Sequence, residues 1–142
     1  MDRTNVLSEI NDNEREGRKK ILVVDDEKGF TAMLSLNLET AGQYEVRVEN
    51  NPQHALEVAL KFRPDIILLD IIMPNAEGPD IAFEFKNHPR LRDIPIVFLT
   101  ATVTQEEVEA HGGKIGGHSF VAKPSNLNVL LDSIERNTAG VF

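Results

Sequence analysis

The chain has no cysteine, few basic residues and no long apolar run, and each absence removes a class of function. Without Cys among its 142 residues, a disulfide framework and thiolate chemistry are excluded. The net charge is −8, from 15 Lys and Arg against 23 Asp and Glu. This balance disfavours binding to a phosphate backbone, which depends on clustered basic side chains. We therefore expect no direct contact with nucleic acid.

Signals for a membrane or for secretion are also missing. No run reaches the ~18 apolar residues of a membrane span, and the polar start of the chain lacks the apolar centre of a signal peptide. We expect a cytoplasmic protein without membrane contact. The length suits one domain. We place it at residues 19–137, after a polar, disordered extension over residues 1–18 and before a tail over residues 138–142.

Strand patterns and helix patterns alternate along the chain. The continuous apolar runs at 21–24, 66–69 and 96–99 are typical of strands covered on both faces. By contrast, residues 44–48 alternate in the manner of a half-exposed edge strand, and a further strand ends near Ala122. Helix patterns follow the strands, near residues 27–41, 52–62, 79–88, 104–111 and 125–137. This alternation predicts an α/β fold, a parallel sheet with helices on both faces.

Two of the helix patterns carry specific expectations. Helical spacing predicts the inner face of the first helix to be Phe30, Met33, Leu34, Leu38 and Ala41. The fourth helix begins with Thr104 and Glu107 in the spacing of a capping box, but it offers little apolar face. We therefore expect the fourth helix to be weakly held.

Polar side chains follow the ends of the buried strands. They are Asp25, Asp26, Asp70, Thr100 and Lys123. In an open parallel sheet, ligands bind in the crevice beyond the carboxyl ends of the strands, so these side chains are expected to share one pocket. Three carboxylates, a hydroxyl and an amine together would form a site for a divalent metal and a phosphoryl group.

Each of these residues also has a purely structural explanation. An acidic pair after a strand, such as Asp25-Asp26, often caps the next helix. Asp70 and Lys123 would satisfy each other as a structural ion pair, and Thr100 suits a strand as a β-branched residue. The functional interpretation depends on all five residues reaching the same edge of the sheet.

The same residues resemble the receiver domain of two-component response regulators. The matching motifs are Asp25-Asp26, Asp70 with Met73-Pro74 and Gly78, Thr100-Ala101, and Lys123-Pro124. The resemblance extends over residues 19–137. It implies a flavodoxin-like, doubly wound (βα)5 fold with five parallel strands in the order 2-1-3-4-5.

The resemblance also implies a role for each site residue. Asp70 would be the phosphoacceptor, modified by a sensor histidine kinase or a His-phosphotransfer protein. The cofactor would be Mg²⁺, bound by three carboxylates and one backbone carbonyl, those of Asp25, Asp26, Asp70 and Ile72. The phosphoryl oxygens would be bound by Thr100, by Lys123 and by the backbone of Ala101.

The family's switch implies a coupled pair, Thr100 and Phe120. Phosphorylation would draw Thr100 toward the site, let Phe120 turn inward and alter the face formed by the fourth helix, fifth strand and fifth helix. That face would bind a downstream protein or effector domain, and a homodimer formed on phosphorylation is one form such binding can take.

Two other functions stay open. One is a binding module of receiver shape that no longer cycles phosphate, against which the complete acidic set argues. The other is a Mg²⁺-dependent phosphohydrolase with an aspartyl nucleophile. Such enzymes usually carry a second acid two residues after the nucleophile, where this chain has Ile72, and a cap domain for which 142 residues leave no room.

Overall fold

The structure, a computed structural model, describes most of the predicted domain. The described residues are 17–73, 76–101, 104–112, 114–115, 118–123 and 126–141. The predicted extension lies outside them except for residues 17–18, and Pro74 and Pro124 of the predicted motifs also lie outside. Within the described part of the chain, no helix combines the length and the apolar character needed to cross a membrane.

Five parallel strands form the sheet. They are β1 (Lys19–Val24), β2 (Tyr44–Glu49), β3 (Ile66–Asp70), β4 (Ile96–Thr100) and β5 (His118–Ala122). Their order is β2-β1-β3-β4-β5, which confirms the predicted topology. The alternating strand β2 lies at the edge of the sheet, also as predicted.

Two short antiparallel pairs add to this sheet. Lys114–Ile115 pairs with β5 and extends the sheet by one strand, and Ile72–Met73 pairs with Ala76–Glu77 just after β3. The sequence did not predict either pair, because two residues are too few to show a periodic pattern.

Five helices connect and follow the strands. They are α1 (Lys28–Ala41), α2 (Ala55–Phe62), α3 (Gly78–Lys86), α4 (Gln105–Ala110) and α5 (Leu127–Asn137). A 3-10 turn, Pro52–His54, precedes α2, and the Asn51 side chain caps it by accepting from the backbone N–H of Gln53 at 3.0 Å. The alternation of strands and helices is therefore the predicted one.

The core has two apolar layers, one on each face of the sheet. Alternate strand residues such as Leu22, Leu69 and Phe98 pack with α2 and α3, and their neighbours such as Val23 and Leu68 pack with α1 and α5. Fully buried aliphatic side chains fill β1 and β3 on both faces. Burial on both faces explains why these strands read as continuous apolar runs.

The predicted inner face of α1 is partly wrong. Leu34 and Leu38 are buried and Phe30 packs against the same layer, but Met33 is 51% exposed and Ala41 is also exposed. Thr31 is buried instead, at 1% exposed, and its hydroxyl accepts a hydrogen bond from the Asn50 side chain at 3.0 Å. A buried hydroxyl with a partner is tolerated in a core, and an apolar pattern does not reveal it.

The short helix α4 agrees with the expectation of weak attachment. It has six residues, and Thr104 caps it by accepting from the backbone N–H of Glu107 at 3.1 Å. Val108 is the buried side chain among those described in α4. A helix of this length depends on tertiary contacts for its stability, and α4 has few of them.

A polar cluster ties the end of α5 to the start of the sheet. The Glu135 carboxylate accepts a hydrogen bond from the Tyr44 hydroxyl at 2.6 Å and pairs with the Lys19 amine at 3.0 Å. Lys19 also donates to the Thr138 hydroxyl at 3.0 Å. The hydrogen bonds from Tyr44 and Lys19 lower the pKa of Glu135. The pKa of Tyr44 is raised, mainly by burial and secondly by its hydrogen bond to the Glu135 carboxylate.

Replacing Glu135 should therefore weaken the fold in a pH-dependent way. Because its folded pKa is lowered, the ionised carboxylate stabilises the fold above its ordinary pKa of 4.5 and loses this effect as the pH falls through the lowered value. At pH 7 we expect Glu135→Gln to lower the free energy of unfolding by about 1 kcal/mol, since the carboxylate is half exposed. Urea unfolding at pH 7 and at pH 3 measures this, and an equal loss at both pH values would contradict it.

Gly78 lies against the backbone that carries Asp70. Its N–H donates to the Ile71 carbonyl at 2.7 Å, and a Cβ at this position would collide with the Asp70 carbonyl and lie 2.8 Å from the Ile71 Cα. Both obstacles are backbone atoms, which cannot move aside as the end of a side chain can. Only glycine fits here without displacing Asp70.

Gly78→Ala should consequently destabilise the protein. We expect a loss of about 1–3 kcal/mol in the free energy of unfolding, the range for an overpacked site. Gly29→Ala is the matched control, since Gly29 lies in α1 and its added Cβ would meet nothing within 4 Å. The control should keep or raise stability by up to about 1 kcal/mol. Similar urea midpoints for the two variants would refute the proposed clash.

Candidate functional site

The carboxyl ends of four neighbouring strands bring the predicted site residues to one edge of the sheet. Asp25 and Asp26 follow β1, and Asp70 and Thr100 are the last residues of β3 and β4. Lys123 follows β5 directly. Asp70 is in register with Leu99 and Thr100 with Ala122, so the strand ends lie side by side.

Three carboxylates form an acidic cluster at this edge. One oxygen each from Asp25, Asp26 and Asp70 lies within 4.8 Å of the other two. Asp25 is fully buried, Asp70 is 6% exposed and Asp26 is half-buried. Ile72, whose carbonyl is the fourth expected metal ligand, begins the short strand two residues after Asp70.

Lys123 is the counter-ion of this cluster. Its Nζ lies 2.7 Å from Asp25 Oδ2, 2.7 Å from Glu27 Oε1 and 3.6 Å from Asp70 Oδ2. The side chain is only 6% exposed, and Nζ lies 4.5 Å from the centre of the Phe30 ring, a cation–π distance. The expected ion pair between Lys123 and Asp70 is therefore the longest of these three ion pairs.

The buried charges shift one another's pKa. Burial raises the pKa of Asp25, although the Lys123 hydrogen bond opposes the shift. Burial alone would lower the pKa of Lys123, but its hydrogen bonds to Asp25 and Glu27 outweigh burial and raise it. Lys123 is therefore protonated at neutral pH and offsets the repulsion among the carboxylates.

Asp25 also has part of the structural role expected of an acidic residue after a strand, that of supporting the start of the next helix. Its Oδ1 accepts from the backbone N–H of Glu27 at 2.9 Å, next to the start of α1, while Oδ2 pairs with Lys123. The side chain of Asn50 donates to the Asp25 carbonyl at 2.7 Å and fixes the turn after β1. Asp25 thus supports the helix start and belongs to the acidic cluster at the same time.

Thr100 and Phe120 lie on one face of the sheet. Phe98 pairs with Phe120 and Thr100 with Ala122, so Thr100 and Phe120 are diagonal neighbours on adjacent strands. Thr100 is 1% exposed, and its carbonyl accepts from the backbone N–H of Lys123 at 2.7 Å. Phe120 is half-buried, with its ring centre 5.2 Å from that of Phe98.

Two residues of this site were not predicted from the sequence. Glu27 pairs with Lys123, and Phe30 contacts the same amine although it was expected only as a core residue. The unbroken acidic run Asp25-Asp26-Glu27 was a usable signal for Glu27. Ala101, expected to contribute its backbone, is exposed just after Thr100.

Known proteins resemble this chain in sequence. The family model for the response regulator receiver domain matches residues 21–135. The phosphate regulon transcriptional regulatory protein PhoB of Pseudomonas aeruginosa is 38% identical over 106 residues, which cover 75% of this chain and 45% of that protein. The nisin biosynthesis regulatory protein NisR of Lactococcus lactis is 36% identical over 118 residues, which cover 83% and 49%. The chain thus spans less than half the length of these curated relatives.

Solved structures resemble it over nearly their whole length. The chemotaxis protein CheY4 of Vibrio cholerae has a TM-score of 0.72 at 30% identity, with 85% of this chain and 99% of that chain covered. The receiver domain of a signal transduction histidine kinase from Syntrophus aciditrophicus has a TM-score of 0.71 at 30% identity, with 87% and 92% covered. Together with the sheet order and the acidic cluster, these matches show that the chain belongs to the response regulator receiver domain family of two-component signalling.

Proposed function

We propose that Asp70 accepts a phosphoryl group from a phosphohistidine donor in a Mg²⁺-dependent reaction, and that this modification changes a partner-binding face. The observation that carries the proposal is the proximity of Asp70 to two further carboxylates and to the Lys123 amine at one edge of the sheet. The donor would be a sensor histidine kinase or a His-phosphotransfer protein, and the setting cytoplasmic.

The acidic cluster fits the proposed metal ion. Mg²⁺ takes oxygen ligands and is usually held by one or two carboxylates together with waters and a phosphate oxygen. Asp26, Asp70 and the Ile72 carbonyl would hold it, with Asp25 acting through water. When bound there, Mg²⁺ would offset both the repulsion of the carboxylates and the charge on the transferred phosphoryl group.

The chain's own residues would carry out the transfer. An Asp70 carboxylate oxygen forms the new bond to phosphorus as the bond from phosphorus to the donor's imidazole nitrogen breaks, and imidazole leaves. Lys123 is 3.6 Å from Asp70 and would bind a phosphoryl oxygen as a flexible point charge. The Thr100 hydroxyl and the Ala101 backbone would bind other phosphoryl oxygens.

The other two functions have less support. A binding module that no longer cycles phosphate would not need its carboxylates and lysine kept together at one edge. An aspartyl phosphohydrolase usually carries an acid where this chain has Ile72. The phosphoacceptor proposal accounts for every residue of the cluster.

The proposed output face contains a groove. Residues of α4, β5 and α5 line this groove of about 570 Å³, among them Phe120, Val121 and Val129. Phe120 therefore adjoins both Thr100 on its sheet face and the surface groove. We propose that a downstream protein, an effector domain or a second copy binds here, and that the receiver itself does not contact nucleic acid.

Phosphorylation of Asp70 can be tested directly. With a small-molecule phosphodonor and Mg²⁺, intact mass spectrometry should show one added phosphoryl group that hydroxylamine removes. Asp70→Asn should abolish the modification because it removes the nucleophilic carboxylate, whereas Asp93→Asn, at an exposed position outside the cluster, should not. Omitting Mg²⁺ should suppress it. A wild-type chain that stays unmodified would favour the binding module.

The proposed switch predicts a change in amide exchange. Elements that switch come from the least stable parts of a structure, and α4 is held by few buried contacts. Phosphorylation should change hydrogen exchange across residues 100–123 but not in β1, whose four core residues are fully buried. Moving a two-state equilibrium from about 1:99 to about 99:1 needs about 5.5 kcal/mol, and a smaller shift in population would already change the measured exchange rates. Identical exchange before and after modification would rule out the switch.

A further inference from the structure

Among the described residues, the Lys123 amine has three side-chain partners besides Asp70, and all three lie in the turn after β1 or at the start of α1. Asp25 and Glu27 each approach Nζ to 2.7 Å, and the Phe30 ring centre lies 4.5 Å away. Asp70, on β3, is at 3.6 Å. In the unmodified protein the amine therefore lies closer to Asp25 and Glu27 than to the proposed acceptor, with which it makes a longer ion pair.

These partners differ in how freely Lys123 can leave them. Asp25 is fully buried, so an Asp25 carboxylate without its counter-ion would be costly. The Glu27 carboxylate is 62% exposed and can be solvated when the amine moves. Glu27 lies at the N-cap of α1 but makes no capping hydrogen bond with its side chain, so capping does not explain its position.

We propose that Glu27 is a positioning residue that competes with the phosphoryl group for Lys123 and so slows phosphorylation of Asp70. The inference rests on the proposed role of Asp70 and adds a determinant of its rate. To bind a phosphoryl oxygen, the amine must give up its 2.7 Å contact with Glu27. Because an ammonium group is a compact charge on a flexible stem, it can be exchanged between anions in this way.

The expected result is faster modification when the competing carboxylate is removed. With a small-molecule phosphodonor and saturating Mg²⁺, Glu27→Gln should raise the rate about two- to five-fold, the range for an exposed ion pair. Glu49→Gln is the matched control, because Glu49 ends β2 at the same edge of the sheet. Its carboxylate accepts a hydrogen bond from the backbone N–H of Asn51 instead of from Lys123. Equal rates for the two variants would overturn the proposal.

A double-mutant cycle tests whether Glu27 acts through Lys123. In a Lys123→Ala background the effect of Glu27→Gln should fall to that of Glu49→Gln, since the shared partner is gone. An undiminished effect would mean that Glu27 acts through general charge and would refute the proposal. If Lys123→Ala does not fold or is not modified at a measurable rate, Glu27→Asp replaces it. This variant keeps the charge but withdraws it by one methylene, and a wild-type rate for it would refute the proposal equally.

A second readout needs no phosphorylation. In the absence of phosphodonor and metal, urea unfolding of wild type, Glu27→Gln, Lys123→Ala and the double variant should show a coupling between Glu27 and Lys123. We expect this coupling to be about two- to five-fold in the unfolding equilibrium constant. Absence of coupling would show that the pair does not form. If wild-type protein is modified but Glu27→Gln is not faster, only this inference fails. If no variant is modified, the proposed role of Asp70 fails.

Discussion

The site depends on one electrostatic constraint, the balance of neighbouring buried carboxylates by a single lysine. Asp25 and Asp70 lie almost out of solvent at adjacent strand ends, where like charges repel strongly. Lys123 contacts both, is nearly buried itself and has a raised pKa, so its positive charge is permanent at neutral pH. The same balance makes the edge suitable for a cation and for a phosphoryl group.

The fold supplies this balance through strand order. Because β1 and β4 both flank β3 and β5 follows β4, the residues after four different strands reach one edge although they are far apart in sequence. Two apolar layers fix the strands from both faces, and the clash expected at Gly78 shows how closely α3 approaches the backbone of Asp70. The site residues therefore lie at or directly after the ends of packed strands, whereas α4, near the proposed output face, is short and has little buried surface.

Most of the architecture could be predicted because its elements carry strong patterns. Continuous apolar runs predicted β1, β3 and β4, because these strands are buried on both faces. The alternating run predicted the edge strand β2, because that strand is only partly buried. The errors came from features without a pattern. Met33 was placed inside because it is apolar, but the fully buried neighbour is Thr31, whose hydroxyl has a partner on a distant loop. The short strand Lys114–Ile115 left no periodic signal at all.

The sequence by itself determined which chemical groups stand at the strand ends, because a polar residue directly after a buried strand is visible in the order of residues. Only the tertiary structure decided how those groups pair. Lys123 is separated from Glu27 by 96 positions. Its closer approach to Asp25 and Glu27 than to Asp70 follows from the path of the turn after β1 and from the place of Phe30 in α1. Distances of this kind depend on packing between segments, and no local pattern encodes them.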